Sequence, residues 1–150
     1  MDIPYSLSPS LEDYLETMYL LNKNTSVVRI KDIADTLGVK MPSVIGALKV
    51  LKDRGYIRYE KSLPLTLTPD GSVIAESVHK RHRILAEFLE QTVMLPPSEA
   101  DATACRIEHI LSPDTAVRLE NITLFLDEVR EKEHISREEW KLIISGKGTE

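Results

Sequence analysis

The chain has little of what secreted, membrane-spanning or fibrous proteins need. Cys105 is its single cysteine among 150 residues, so no internal disulfide framework exists, and a reducing compartment suits it. No apolar run approaches the ~18 residues of a membrane span. The start Met1-Asp2 lacks the basic, apolar head of a secretion signal. Aromatic residues make up 5%, and the sole tryptophan is Trp140, so the core must be built mainly from aliphatic side chains. There is no internal repeat, low-complexity tract or long linker. What remains is a soluble globular balance, 42% hydrophobic and 29% charged, and the expectation is a cytoplasmic protein.

The net charge of −5 hides a split. Residues 1–72 carry nine Lys/Arg and nine Asp/Glu, whereas residues 73–150 carry ten against fifteen. Within 29–61 the count is eight basic against four acidic, a local excess of four positive charges. The first half is therefore suited to phosphate and the second to a different task.

Apolar spacing predicts a mainly helical chain. A first helix is announced by Ser10 and carries Leu11, Tyr14, Leu15, Met18 and Leu21, followed by a polar loop at Asn22–Ser26. A second runs from about Lys31 to Leu37 and stops at Gly38. A third begins near Pro42 and turns Val44, Ala47, Leu48 and Leu51 inward until Gly55. Ala34, Gly38 and Val44 have the spacing of a helix-turn-helix: a small residue at the crossing, glycine in the turn, and a β-branched plug. Ile57, Tyr59, Leu65 and Leu67 then alternate as two short strands with a tip at Lys61–Pro64, the wing of a winged helix. Thr68-Pro69-Asp70-Gly71 opens a long helix to about Gln91, with Val73, Ile74, Val78, Leu85, Phe88 and Leu89 on its apolar stripe. Ser98 with Asp101 reads as a capping box, Ser112-Pro113 precedes a helix to about Leu126, and Ser136 with Glu139 caps a last short one. The domains are expected at 1–71, a winged helix-turn-helix, and 72–150, a helical dimerisation and metal-binding domain.

The third helix should enter the major groove by its first turn. Lys40, Pro42 and Ser43 then lie nearest the bases, with Arg29, Lys49, Lys52, Arg58 and Lys61 nearer phosphates. No Arg, Asn or Gln stands there for bidentate base readout, so recognition falls to Ser43, apolar contacts and DNA shape.

A second group of residues carries coordination chemistry. Asp13 and Glu16 share one face of the first helix, away from its apolar stripe, which alone reads as a solvated side. His82 shares a side with Val78, Leu85 and Leu89, and alone reads as a core histidine. Cys105, Glu108 and His109 stand at i, i+3 and i+4 on one helical face. Together, carboxylate, imidazole and thiolate suit a first-row divalent ion such as Mn²⁺, Fe²⁺ or Co²⁺. Structural zinc would want paired cysteines and calcium a loop of oxygens, and neither is present.

Several segments resemble the metal-dependent transcriptional repressors of the diphtheria toxin repressor and manganese transport regulator type. They are Ser10-Leu-Glu-Asp-Tyr-Leu-Glu16, Ile33-Ala-Asp-Thr-Leu37, Lys80-Arg-His-Arg83, and Ala104-Cys-Arg-Ile-Glu-His109 with Leu111-Ser112. The resemblance covers about residues 8–130. It implies a homodimer on double-stranded, palindromic operator DNA, a metal ion that licenses binding, and the short form lacking an SH3-like domain. Asp13 and Glu16 match first-helix ligands of the manganese branch, and His82, Glu108 and His109 match shared ligands. Cys105 is the residue of the iron branch, where the manganese branch has glutamate; Asp13 replaces the iron branch's methionine. Ala86 and Asp101 stand where the iron branch has a carboxylate and a histidine of a second site, with Glu87 nearby. Gly46 replaces a base-contacting glutamine, so no operator sequence carries over.

The expectation is a Mn²⁺- or Fe²⁺-activated repressor of metal-uptake genes, with no membrane contact and no organic cofactor. The alternative is a winged-helix regulator that responds to an organic ligand or acts constitutively, whose DNA affinity is indifferent to metal. A helical metalloenzyme would want Glu-x-x-His pairs among the candidate ligands; neither Glu12–Tyr19 nor Cys105–His109 contains one, and no nucleophile signature is present.

Overall fold

The computed structural model describes residues 7–25, 27–60 and 63–147. They divide into two compact units, Met1–His79 and Lys80–Glu150. Seven α-helices, α1 (Pro9–Asn24), α2 (Ile30–Leu37), α3 (Met41–Asp53), α4 (Pro69–Glu87), α5 (Pro97–Ile107), α6 (Pro113–Lys132) and α7 (Arg137–Ile144), accompany strands β1 (Ile57–Arg58) and β2 (Thr66–Leu67).

In the first unit α1 starts earlier and ends later than the sequence suggested. Ser8 is the N-cap, accepting from the Leu11 amide, and Pro9 fills the first turn. Its preset φ suits that position, so Ser10 is already helical. The helix then runs through the expected loop to Asn24, whose side chain donates back to the Leu20 carbonyl. α2 has only eight residues, too few to persist alone. It is held by fully or nearly fully buried Ile33 and Ala34, and ends at Gly38, whose φ of 64° is the left-handed cap that glycine adopts without strain. In α3, Val44, Leu48 and Leu51 are wholly buried. Each such side chain contributes roughly 1.5–3 kcal/mol. With Leu15, Met18 and Ile33 they form the centre of this unit's core.

β1 and β2 pair antiparallel, Ile57 opposite Leu67 and Arg58 opposite Thr66, and a lone bridge joins Val28 to Leu65. Thr68 ties the wing to α4: its hydroxyl donates to the Gly55 carbonyl at 2.7 Å and accepts from the Gly71 amide at 3.1 Å. α2, α3 and the strand pair are therefore the expected winged helix-turn-helix, on a mainly helical chain.

The second unit has a thinner core. Ile84, Leu85, Ala100, Ala104 and Ala116 are buried. α4 ends in a π-helical segment, Phe88–Thr92. Val73 of the expected apolar stripe is exposed, and Arg81 is buried instead. α5 begins at Pro97 with Pro96 as its N-cap and no side-chain cap. The Ser98–Asp101 capping box is thus not formed; two prolines set the helix start two residues earlier. α6 continues past Leu126 to Lys132. α7 is capped as expected, Ser136 and Glu139 bonding reciprocally at 2.8 and 3.2 Å. The Trp140 indole donates to the Thr92 carbonyl at 2.9 Å, fixing α7 to the π segment.

Candidate metal centre

α1 carries Asp13 and Glu16 in the first unit. Both are partly shielded, not the freely solvated face that α1 alone suggests. Glu16 Oε1 lies 3.0 Å from Nδ1 of His79 on α4, with the two side chains 13% and 22% exposed. An ionised carboxylate only accepts, so a hydrogen bond here requires the proton on Nδ1. The imidazole also lies against the Tyr19 ring at 5.9 Å between centroids.

In the second unit Glu108 is the C-cap of α5 and is wholly buried, side chain included. Its Oε2 is 2.6 Å from His82 Nδ1, and its main-chain carbonyl accepts from Arg81 Nε at 2.8 Å. Its Oε1 has no hydrogen-bond partner among the described residues. His109 Nε2, on a ring only 7% exposed, is 3.5 Å from that oxygen, beyond a proper hydrogen bond. His82 Nε2 meets Asp101 Oδ1 at 2.9 Å.

A buried carboxylate with an unanswered oxygen is expensive, by roughly 1–3 kcal/mol or more for a charged group. Two donors on one ion at about 2.0–2.2 Å each sit about 3 Å apart when they subtend a right angle. Glu108 and His109 have nearly that separation, and their oxygen and nitrogen are donors that a first-row divalent cation accepts. The residues fit a metal ion.

The structure thus brings together His82, Glu108 and His109 in the second unit. Cys105, on α5 one turn before Glu108, is exposed; because α5 ends at Ile107, Glu108 and His109 continue it as a turn, and the expected common face does not share one environment. Two residues around this chemistry were not expected from the sequence: His79, one turn before His82, a spacing that flags it in retrospect, and Arg81, which nothing in the sequence marks as buried. Asp101, expected both in a helix cap and at a second-site position of the iron branch, meets His82.

Of the expected DNA-contact residues, Arg29, Lys40, Pro42, Ser43, Lys49, Lys52 and Arg58 are all exposed on the first unit. Pro42 and Ser43 occupy the first turn of α3, and the Lys40 N-cap supplies no side-chain acceptor to its amides. Lys61 lies outside the described residues.

Residues 6–65 match the iron dependent repressor N-terminal DNA binding domain, and residues 68–137 match the iron dependent repressor metal binding and dimerisation domain. The chain belongs to the iron-dependent repressor family. A helix-turn-helix-type transcriptional regulator of Methanocaldococcus jannaschii is 32% identical over 127 residues, 84% of this chain and 99% of that one. The regulator MntR of Lysinibacillus sphaericus is 34% identical over 121 residues, 81% of this chain and 86% of its own. The solved structure of the manganese regulator SloR matches with a TM-score of 0.69 at 28% identity, covering 77% of this chain. This chain spans about half of that one, 54%. Members of the family are metal-dependent transcriptional repressors and not enzymes. No helix among the described residues is long and apolar enough to cross a membrane.

Proposed function

We propose that the chain is a Mn²⁺- or Fe²⁺-activated repressor that controls metal-uptake genes, acting as a cytoplasmic homodimer on a palindromic operator without an organic cofactor. Residues 1–71 serve as the DNA-binding domain and 72–150 as the dimerisation and metal-binding domain. The ligands are drawn from Asp13, Glu16, His82, Cys105, Glu108 and His109. The observation that carries the reading is Glu108, a wholly buried carboxylate whose Oε1 is unanswered beside an imidazole nitrogen. A divalent cation supplies the missing positive charge.

Asp13 and Glu16 precede the DNA-reading helices in the chain, and the other four follow them. A cation gripping both sets reduces the conformations open to the DNA-binding domain, so fewer must be discarded when two half-sites are engaged. Lys40, Pro42 and Ser43 approach the bases. Arg29, Lys49, Lys52, Arg58 and Lys61 neutralise phosphates.

The test is selection from a random duplex pool with Mn²⁺ present, then titration of the selected duplex with Mn²⁺, anaerobic Fe²⁺, Co²⁺, Zn²⁺ or EDTA. The expected result is an inverted repeat bound at least about tenfold tighter with Mn²⁺ or Fe²⁺, a bias of only about 1.4 kcal/mol. Equal affinity in EDTA and in every metal would defeat the reading.

A further inference from the structure

We infer that His79 is a positioning residue for the metal, holding the Glu16 carboxylate by an Nδ1–H hydrogen bond so that its remaining lone pairs are presented to the ion. The inference rests on the proposed role of Glu16 as a ligand and adds a residue outside the proposed ligand set.

Three observations converge on it. The Nδ1–Oε1 separation is 3.0 Å between side chains that are mostly shielded from water. The partners stand 63 residues apart in sequence, so a fold-level arrangement and not helical neighbourhood brings them together. The imidazole is packed at a 50° tilt against Tyr19, whose ring has the Lys23 ammonium 4.3 Å from its centroid. That packing limits the ring's rotation and keeps Nδ1 aimed at α1. A glutamate on a helix has three rotatable bonds; one fixed hydrogen bond selects among them before the ion arrives. Hydrogen bonds to ligating side chains of this kind commonly govern metal affinity by 10–100-fold. While Nδ1 carries the shared proton it has no lone pair for the ion, so His79 acts through Glu16.

The test compares Mn²⁺ affinity, from the free-ion electron paramagnetic resonance signal, in the full chain and its variants. His79→Leu should weaken Mn²⁺ by about tenfold or more. His79→Asn places an amide N–H the same number of bonds from Cα as Nδ1, and should restore most of the affinity. In a Glu16→Ala background, His79→Leu should cost nothing further. Nitrogen-15 NMR of the metal-free chain should find the His79 proton on Nδ1, a readout independent of metal and of whether the leucine variant folds.

Four results would each overturn the inference. They are wild-type affinity in His79→Leu, an asparagine variant as weak as the leucine one, additional loss in the Glu16→Ala background, or a proton on Nε2. If the unmodified chain binds no Mn²⁺, or Glu16→Ala binds as it does, the metal reading itself falls and the inference falls with it.

Discussion

Gly71 is where a single methyl group has the largest calculable consequence. It is buried in the first turn of α4, and a Cβ there would stand 1.9 Å from the Tyr56 carbonyl oxygen. That oxygen is not free to retreat, because it accepts from the Thr68 amide at 2.9 Å. Gly71→Ala should therefore destabilise the first unit by at least about 1–3 kcal/mol, visible as a fall of several degrees in its thermal transition. An unchanged transition would mean that the wing and α4 separate easily. The contrast with the metal residues concerns what a sequence can encode locally. Glu108 and His109 were legible because they lie within one turn of each other and of Cys105. Gly71 read as part of a helix-opening turn, but its contact with Tyr56 depends on the wing folding back. The pairings of His79, Asp101 and Arg81 were invisible for the same reason: their partners Glu16, His82 and Glu108 lie 63, 19 and 27 residues away.

Helix ends were read well at Gly38 and Ser136, and poorly at α1 and α5, where a proline in the first turn moved the start ahead of the expected serine. Ser136 is a cap in both readings, and Ser112, expected only to precede a helix, caps α6. At Ser98 and Asp101 the pattern was the same, yet Pro96 and Pro97 fixed the start first, and Asp101 turned to His82. The α7 box makes its own prediction. The Glu139 carboxyl is held below its ordinary value, chiefly by the Ser136 hydroxyl and then by the Ser136 amide. Its folded value is depressed, so the box is intact above the ordinary carboxylate range and is lost as pH falls through the lower folded value. Ser136→Ala should raise the Glu139 midpoint in a carbon-13 NMR titration, and an unmoved midpoint would remove the box as the cause. α6 runs a turn and a half beyond the expected Leu126, where Val129 stands alone among charged residues and leaves no apolar period to follow. On it Val117, Ile122, Leu124 and Phe125 are all exposed, Phe125 by 63%. In a chain that carries a dimerisation domain, this surface is expected to receive a second copy. Leu124→Glu with Phe125→Glu should convert a dimer to a monomer in sedimentation at low micromolar concentration, while circular dichroism keeps the helical signal. A dimer that survives both charges would place the interface elsewhere.

At the scale of the whole molecule the question is whether metal and DNA are coupled or merely bound by the same chain. The acidic second half and the locally basic segment 29–61 oppose each other in charge, so a cation added to the former can alter how readily the latter meets phosphate. Two contributions point the same way. In the proposed switch, the ion would offset part of the negative charge of its carboxylate ligands. An ion that drew its ligands from both sides of the DNA-reading helices in sequence, as proposed, would also lower the ordering cost of engaging both half-sites. His109 separates coupling from folding. Its Nε2 faces the unanswered Glu108 oxygen at 3.5 Å but makes no proper hydrogen bond to it, so removing the ring deletes a proposed ligand while Arg81 and His82 still hold Glu108. His109→Ala should therefore retain the fold and the dimer, and keep the wild-type affinity for the selected duplex in EDTA. It should lose the stimulation of about tenfold or more by Mn²⁺, because the remaining donors hold the ion too weakly at the same concentration. The comparison is one binding isotherm with and without Mn²⁺ for each protein. Equal stimulation in both would detach His109 from the switch. Loss of binding in EDTA as well would assign His109 to the scaffold and leave metal coupling to be carried by Asp13 and Glu16.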